Sequence, residues 1–175
     1  MKQNIINKII VLIYAISLFL FFTKNCSAFY EIINLNIKIE NYIKKINPNL
    51  KEKQYKKIAK TIIKQSLYYE IPWNIVLAIM EIESNFNPLA IGAAGEIGLM
   101  QIFTRMCFDI KANEKRLFEI RYNIAFGLCI LHDKLRIAKN DIVKAIKFYN
   151  GSGPKDKEYV LKVFDTLEKI NKEFY

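Results

Sequence analysis

Pro88, Gly92, Gly95 and Gly98 crowd into one short stretch of a chain that has only 6 Gly and 4 Pro in its 175 residues. Both residue types oppose a continuous helix, so this stretch is expected to be a turn-rich loop. On either side of it, apolar residues recur every three or four positions, the period of an amphipathic helix. Tyr55, Ile58, Ile62, Ile63 and Leu67 form one such stripe among lysines. Pro72 suits a first helical position, where a missing N–H costs nothing, and the apolar run Ile75 to Ile82 follows it. Beyond the loop, Ile124, Leu128, Leu131 and Leu135 mark another helix, and Asp141 to Asn150 a shorter one. Asn140 or Asp141 can cap the latter, and Gly151 and Gly153 end it. After Pro154 a last stripe runs through Tyr159, Val163, Leu167 and Ile170. The expected fold class is all-α or mainly α. One segment competes with that reading: Ile33 to Glu40 alternates strictly, as a half-buried strand does. Ile33, Ile37, Ile43 and Ile46 could equally line one helix stripe, and no second alternating strand is present to pair with it. Asn47-Pro48-Asn49 then marks a turn.

The first 28 residues read separately. Lys2 and Lys8 precede an uncharged run from Ile9 to Phe22, and the small side chains of Cys26-Ser27-Ala28 follow. That is the layout of a secretory signal peptide, with cleavage expected after Ala28. An uncleaved amino-terminal anchor is the alternative, since Ile5 and Ile6 lengthen the apolar run and a tilted helix can span with it. Three segments are therefore expected: 1–28 as signal or anchor, 29–52 as an amino-terminal segment of uncertain structure, and 53–175 as the functional domain. The expected location is the cell envelope or periplasm, with membrane contact only through the amino-terminal segment if it is retained.

Without residues 1–28 the chain loses Lys2, Lys8 and Lys24 and no acid, so its net charge falls from +10 to +7. A basic chain invites a nucleic-acid partner. An exported chain meets wall carboxylates and acidic headgroups first, and no nucleic-acid recognition motif is present, so nucleic acid is not an expected partner. Cys107 and Cys129 would remain as one disulfide, permitted in an oxidising compartment, or as two buried thiols. Neither a Cys-x-x-Cys pair nor a His cluster suggests a metal site.

At ~100° per residue, Glu83 falls between Ile79 and Val76 on the apolar face of its helix, with Met80 adjacent. Glu81 projects from the other side, near Asn74, as an ordinary solvated acid. A carboxyl group against an apolar wall resists ionising, so its pKa rises and it can donate a proton to a leaving oxygen. A lone glutamate at a helix end more often just reaches solvent. Here Glu83-Ser84 runs into Asn87-Pro88 and the Gly-punctuated loop. Gly98-Leu99-Met100-Gln101 closes that loop, Asn123-Ile124 with Gly127 lies further on, and Tyr149-Asn150 comes last.

In content and order these pieces resemble the lytic transglycosylases and goose-type lysozymes over roughly residues 68–165. The resemblance implies a compact lysozyme-like helical domain that cleaves peptidoglycan between N-acetylmuramic acid and N-acetylglucosamine, without a cofactor. Glu83 would act as the single acid and base, and the substrate's own C6 hydroxyl would attack to leave a 1,6-anhydro sugar. Most glycosidases need two carboxylates; here the alternatives are Glu81 on the wrong face and Glu96 in the loop. By the same resemblance Tyr149 places its hydroxyl near Glu83, Gln101 bonds the sugar, Met100 walls the site, and Ser84 and Asn150 belong to the substrate-binding set. Small proteins of this kind often accompany envelope-spanning secretion or conjugation machinery, a partnership suggested by analogy alone. A hydrolytic muramidase, or an inactive wall-binding component of such a machine, are the competing functions.

Some positions depart from the family pattern. Gly92 stands where a serine is common, and Glu96 where a small residue is usual. Glu96 is expected to point harmlessly outward. Phe103-Thr104 replaces a stretch that often holds proline. His132, the chain's only histidine, sits mid-helix away from every motif residue and reads as a surface or packing residue.

Overall fold

The computed structural model describes residue 23 and residues 26–103, 113–151 and 156–174. It divides into two units, Met1–Lys38 and Ile39–Tyr175. In the first, residues 26–38 are helical, and Phe29, Tyr30, Ile32, Ile33 and Ile37 are exposed along them. Among the described residues no helix is long and apolar enough to cross a membrane. The apolar run at 9–22 lies outside the described residues, as do Cys107, Thr104, Gly153 and Pro154.

The second unit begins with helical residues 39–46, here α1. It continues with α2 (Glu52–Tyr69), α3 (Trp73–Ser84), a 3₁₀ turn (Glu114–Phe118), α4 (Ile120–Ile137), α5 (Ile142–Tyr149) and α6 (Asp156–Phe174). Helix α2 packs on α4, α3 on α6, and α4 on α5. The fold is all-α and lysozyme-like. The alternating segment at 33–40 is helical, not a strand. A lone strand would leave both rows of backbone N–H and C=O groups without a ladder, whereas a helix satisfies its own. The buried side chains of α1 are Ile39, Tyr42 and Ile43, spaced as one helix face requires.

Helix α3 is the centre of the core. Every residue from Ile75 to Met80 is buried, and a helix that is apolar all round has no solvent face to offer. Pro72 lies just ahead of its first turn, where its carbonyl accepts the N–H groups of Ile75 and Val76 at 3.1 and 3.3 Å. Asn85, in the left-handed region at φ 48°, ends the helix.

A buried side chain on α4 helps to hold the loop beyond α3. Asn123 on α4 donates from Nδ2 to the carbonyls of Ile97 and Leu117, at 2.8 Å each. Its Oδ1 accepts the Met100 N–H at 2.8 Å. Gly98 passes close beside it at φ 77°, where a Cβ would collide with Asn123 Nδ2 and lie 2.6 Å from the Leu117 carbonyl oxygen. Gly127, one turn further along α4, leaves room for the Met100 side chain: a Cβ there would collide with its sulfur and sit 2.8 Å from its Cβ. Glycine at both positions therefore lets the segment Gly98 to Gln101 lie directly on α4. Removing the Asn123 amide strands three buried backbone groups, each at about 1–3 kcal/mol. We expect Asn123→Ala to lower the unfolding free energy by about 3 kcal/mol or more, read from denaturant melts; a loss well below about 1 kcal/mol would show that the loop does not depend on this contact.

Candidate active site

Glu83 lies in the last turn of α3, at the end of the apolar run that buries the helix. Its carboxyl is half-buried and accepts a hydrogen bond from the Tyr159 hydroxyl on α6, Oη to Oε1 2.5 Å. Burial pushes its pKa up, the Tyr159 hydroxyl pulls it down, and the nearby charge of Glu96 pushes it up again, for a result of about 7. Burial wins because the ionised form loses water that one hydroxyl cannot replace. Tyr159 is itself driven well above its ordinary range, first by burial, then by the charge and hydrogen bond of Glu83 and by Tyr149. It therefore stays a neutral donor.

The resemblance put the Tyr149 hydroxyl beside Glu83. The hydroxyl bonded to the carboxyl is that of Tyr159, while Tyr149, 4% exposed, donates to the Met100 carbonyl at 2.7 Å. Tyr149 is still electrostatically close to Tyr159. Tyr159 was legible only as one position of an apolar stripe; the available signal was a hydroxyl on a core position, which demands a partner when buried.

The remaining residues gather around the same turn. The Ser84 hydroxyl lies 2.9 Å from the Leu99 carbonyl oxygen and 3.2 Å from that of Met80, so it ties the end of α3 to the turn. Met100 is fully buried. Gln101, at φ 45°, donates from Nε2 to the Gly98 carbonyl at 2.9 Å and lies 3.4 Å from the Ala90 oxygen. Asn150 is exposed at the end of α5, its N–H given to the Ile146 carbonyl at 3.2 Å. Glu83, Tyr159, Tyr149, Met100, Gln101 and Ser84 are thus linked through α3, the loop, α5 and α6, and Asn150 follows Tyr149 at the surface.

Two carboxylates differ from the sequence expectation. Glu96 does not point outward: its Oε2 accepts the Ala94 N–H at 3.1 Å, and a Cβ on Gly92 would collide with it. The tight return of the chain between Gly92 and Gly95 turns the side chain inward. Glu81 does project from the far side of α3, yet it is half-buried and accepts the Tyr42 hydroxyl at 2.7 Å rather than standing free in water. His132 is exposed, with its ring 5.7 Å from that of Tyr69. The pairing of Cys107 with Cys129 falls outside the described residues. Among the described residues no group of three or more His, Cys, Asp or Glu could hold a metal ion.

Residues 60–171 match the family model of the transglycosylase SLT domain. The membrane-bound lytic murein transglycosylase C of Actinobacillus pleuropneumoniae serotype 5b (strain L20) is 36% identical over 115 residues, 56% of this chain and 32% of that protein. The protein of the same name from Glaesserella parasuis serovar 5 (strain SH0165) is 36% identical over 123 residues, 58% of this chain and 32% of its own length. That of Haemophilus ducreyi (strain 35000HP / ATCC 700724) is 37% identical over 112 residues, covering 54% and 29%. The matches therefore take in about a third of the length of these curated relatives.

The raised Glu83 pKa has a consequence for stability. Between the ordinary value of 4.5 and about 7, the folded protein holds a proton that the unfolded chain releases, so stability declines as pH rises through that window. A glutamine carries no such penalty. The melting temperature of Glu83→Gln, relative to wild type, should rise by a few degrees between pH 5 and pH 8; a difference that stays constant with pH would contradict the buried-acid assignment.

Proposed function

This chain belongs to the transglycosylase SLT domain family, and on that premise we propose that it is a lytic transglycosylase cutting the glycan strands of peptidoglycan. The observation that carries the reading is the Glu83 carboxyl, held by burial at a pKa of about 7. At neutral pH a large fraction of it keeps its proton, which suits it to general-acid work.

The reaction follows from that proton. Glu83 gives it to the oxygen between N-acetylmuramic acid and N-acetylglucosamine, the bond to the anomeric carbon breaks, and positive charge develops on the sugar. The Tyr159 hydroxyl stabilises the carboxylate that Glu83 has become. The substrate's C6 hydroxyl attacks the anomeric carbon, Glu83 takes up its proton, and the product is a 1,6-anhydro sugar with no water consumed. Gln101 lines the groove and Asn150 stands at its rim. Ser84 and Met100, whose polar contacts are spent inside the fold, hold the Gln101 turn in place. Tyr149 acts behind Tyr159, steadying the same turn through the Met100 carbonyl.

Residues 53–175 are the proposed catalytic domain. Residues 1–28 direct export, either as a cleaved signal or as a retained anchor, and place the domain against the periplasmic wall. Peptidoglycan is the proposed partner, and a local opening of the wall for an envelope-spanning secretion machine is the proposed setting.

Mass spectrometry of muropeptides released from purified sacculi tests the activity. Wild type should yield anhydro-terminated products and Glu83→Gln essentially none; reducing ends in place of anhydro ends would assign hydrolysis instead, and equal inactivity of both proteins with sacculus binding intact would assign a non-catalytic wall-binding role. Tyr159→Phe should slow turnover about 10²-fold, because the nascent carboxylate loses its donor. A variant as fast as the parent would remove that function from Tyr159.

A further inference from the structure

The loop that closes the candidate site carries a second carboxyl group, Glu96, for which the proposed reaction has no use. The chain turns back on itself here: the Gly92 N–H donates to the Glu96 carbonyl at 2.8 Å and the Gly95 N–H to the Gly92 carbonyl at 3.1 Å. The Ala94 N–H then fixes the Glu96 carboxylate from behind, at 3.1 Å from Oε2. As a result the carboxylate lies over Gly92. A Cβ on Gly92 would collide with Glu96 Oε2 and come within 3.1 Å of its Cδ.

The same point in space lies 2.6 Å from Gln101 Oε1. That oxygen is aimed by its own amide, whose Nε2 is engaged by the Gly98 and Ala90 carbonyls. The left-handed backbone of Gln101, φ 45°, is a costly conformation for a residue with a side chain and survives only where surrounding contacts enforce it. Two acceptor oxygens, one of them charged, thus converge on the volume that any side chain at position 92 would fill. An acceptor pair of this kind favours a hydrogen-bond donor, and a carboxylate does so about twice as strongly as a neutral oxygen.

We propose that Glu96 is a specificity-determining residue of the cleft: together with Gln101 it receives a hydroxyl or amide N–H of the glycan, and the absence of a side chain at Gly92 lets the two acceptor oxygens come together. The assignment rests on the reading that a glycan strand occupies the groove beside Glu83. Glu96 belongs to that groove electrostatically as well, since its charge pushes the Glu83 carboxyl up. The groups facing Glu83 are then Tyr159 from α6 and Glu96 from the loop, with Tyr149 on α5 acting on Tyr159.

The test is a double-mutant cycle on full-length protein with purified sacculi as the probe. Glu96→Ala should raise KM about tenfold while kcat changes by no more than about threefold. Gly92→Ala, which pushes the carboxylate out of its place, should do the same, and Gly92→Ala/Glu96→Ala should be no worse than either single change. Sacculus binding measured in the Glu83→Gln background should weaken about tenfold with Glu96→Ala, a readout independent of turnover. Glu96→Gln keeps an acceptor for the Ala94 N–H but loses the charge, so KM should rise by less than in Glu96→Ala, and the alkaline limb of the rate profile should move to lower pH. Unchanged KM and binding in Glu96→Ala, fully additive effects of the two alanine changes, or an unmoved limb in Glu96→Gln would each overturn the proposal. A wild-type protein that releases no product from sacculi would instead overturn the proposed reaction, while the binding comparison would still report on Glu96.

Discussion

Taking a carboxyl group out of water is costly when it is ionised and cheap when it carries a proton. Glu83 stands at the end of a helix buried from Ile75 to Met80, and it accepts a hydrogen bond from the Tyr159 hydroxyl. A single donor offsets part of the desolvation and no more, so the proton is retained up to about neutrality. That balance is narrow by design of the surroundings. A second donor would lower its pKa further, and burial without Tyr159 would raise it, leaving the proton harder to give up to a leaving oxygen.

The proposed groove beside that carboxyl also needs a fixed wall. The wall is the turn from Gly98 to Gln101, and the turn has little helical or sheet structure of its own; it is described only by isolated bridges between Ile97 and its neighbours Ile91 and Ile102. Its rigidity comes from elsewhere. Asn123 supplies three hydrogen bonds from α4, Ser84 reaches over from α3, and Tyr149 closes on the Met100 carbonyl from α5. Residues that a motif would suggest for contacting substrate are largely spent on one another. In the proposed groove, Gln101, Glu96 and the exposed Asn150 are the side chains left to meet a substrate.

Much of this was legible in the sequence, for reasons that can be named. The α2 stripe of Ile58, Ile62 and Ile63 and the apolar run of α3 obey the helical period, and Pro88, Gly92, Gly95 and Gly98 deny a continuous helix from Asn85 to Gly98. Period alone does not set rotation: Leu67 fits the α2 stripe yet is 70% exposed, while Ser66 beside it is buried. At 33–40 the alternation of isoleucines was misleading because a two-residue pattern on one short segment says nothing about a partner strand. Glu83 was legible from its place on an apolar face. Tyr159 and Glu96 were not, since one arrives from a helix 76 positions away and the other is aimed by a turn whose geometry resides in backbone angles such as the φ of 93° at Gly95.

The central claim is that the Glu83 carboxyl is a proton-loaded acid near neutrality. Infrared difference spectra of wild type minus Glu83→Gln, recorded from pH 4 to pH 9, observe that group directly through the exchange of its carboxylic-acid band for a carboxylate band. The account predicts a midpoint near 7; a midpoint near 4.5, the value of a glutamate in water, would contradict it.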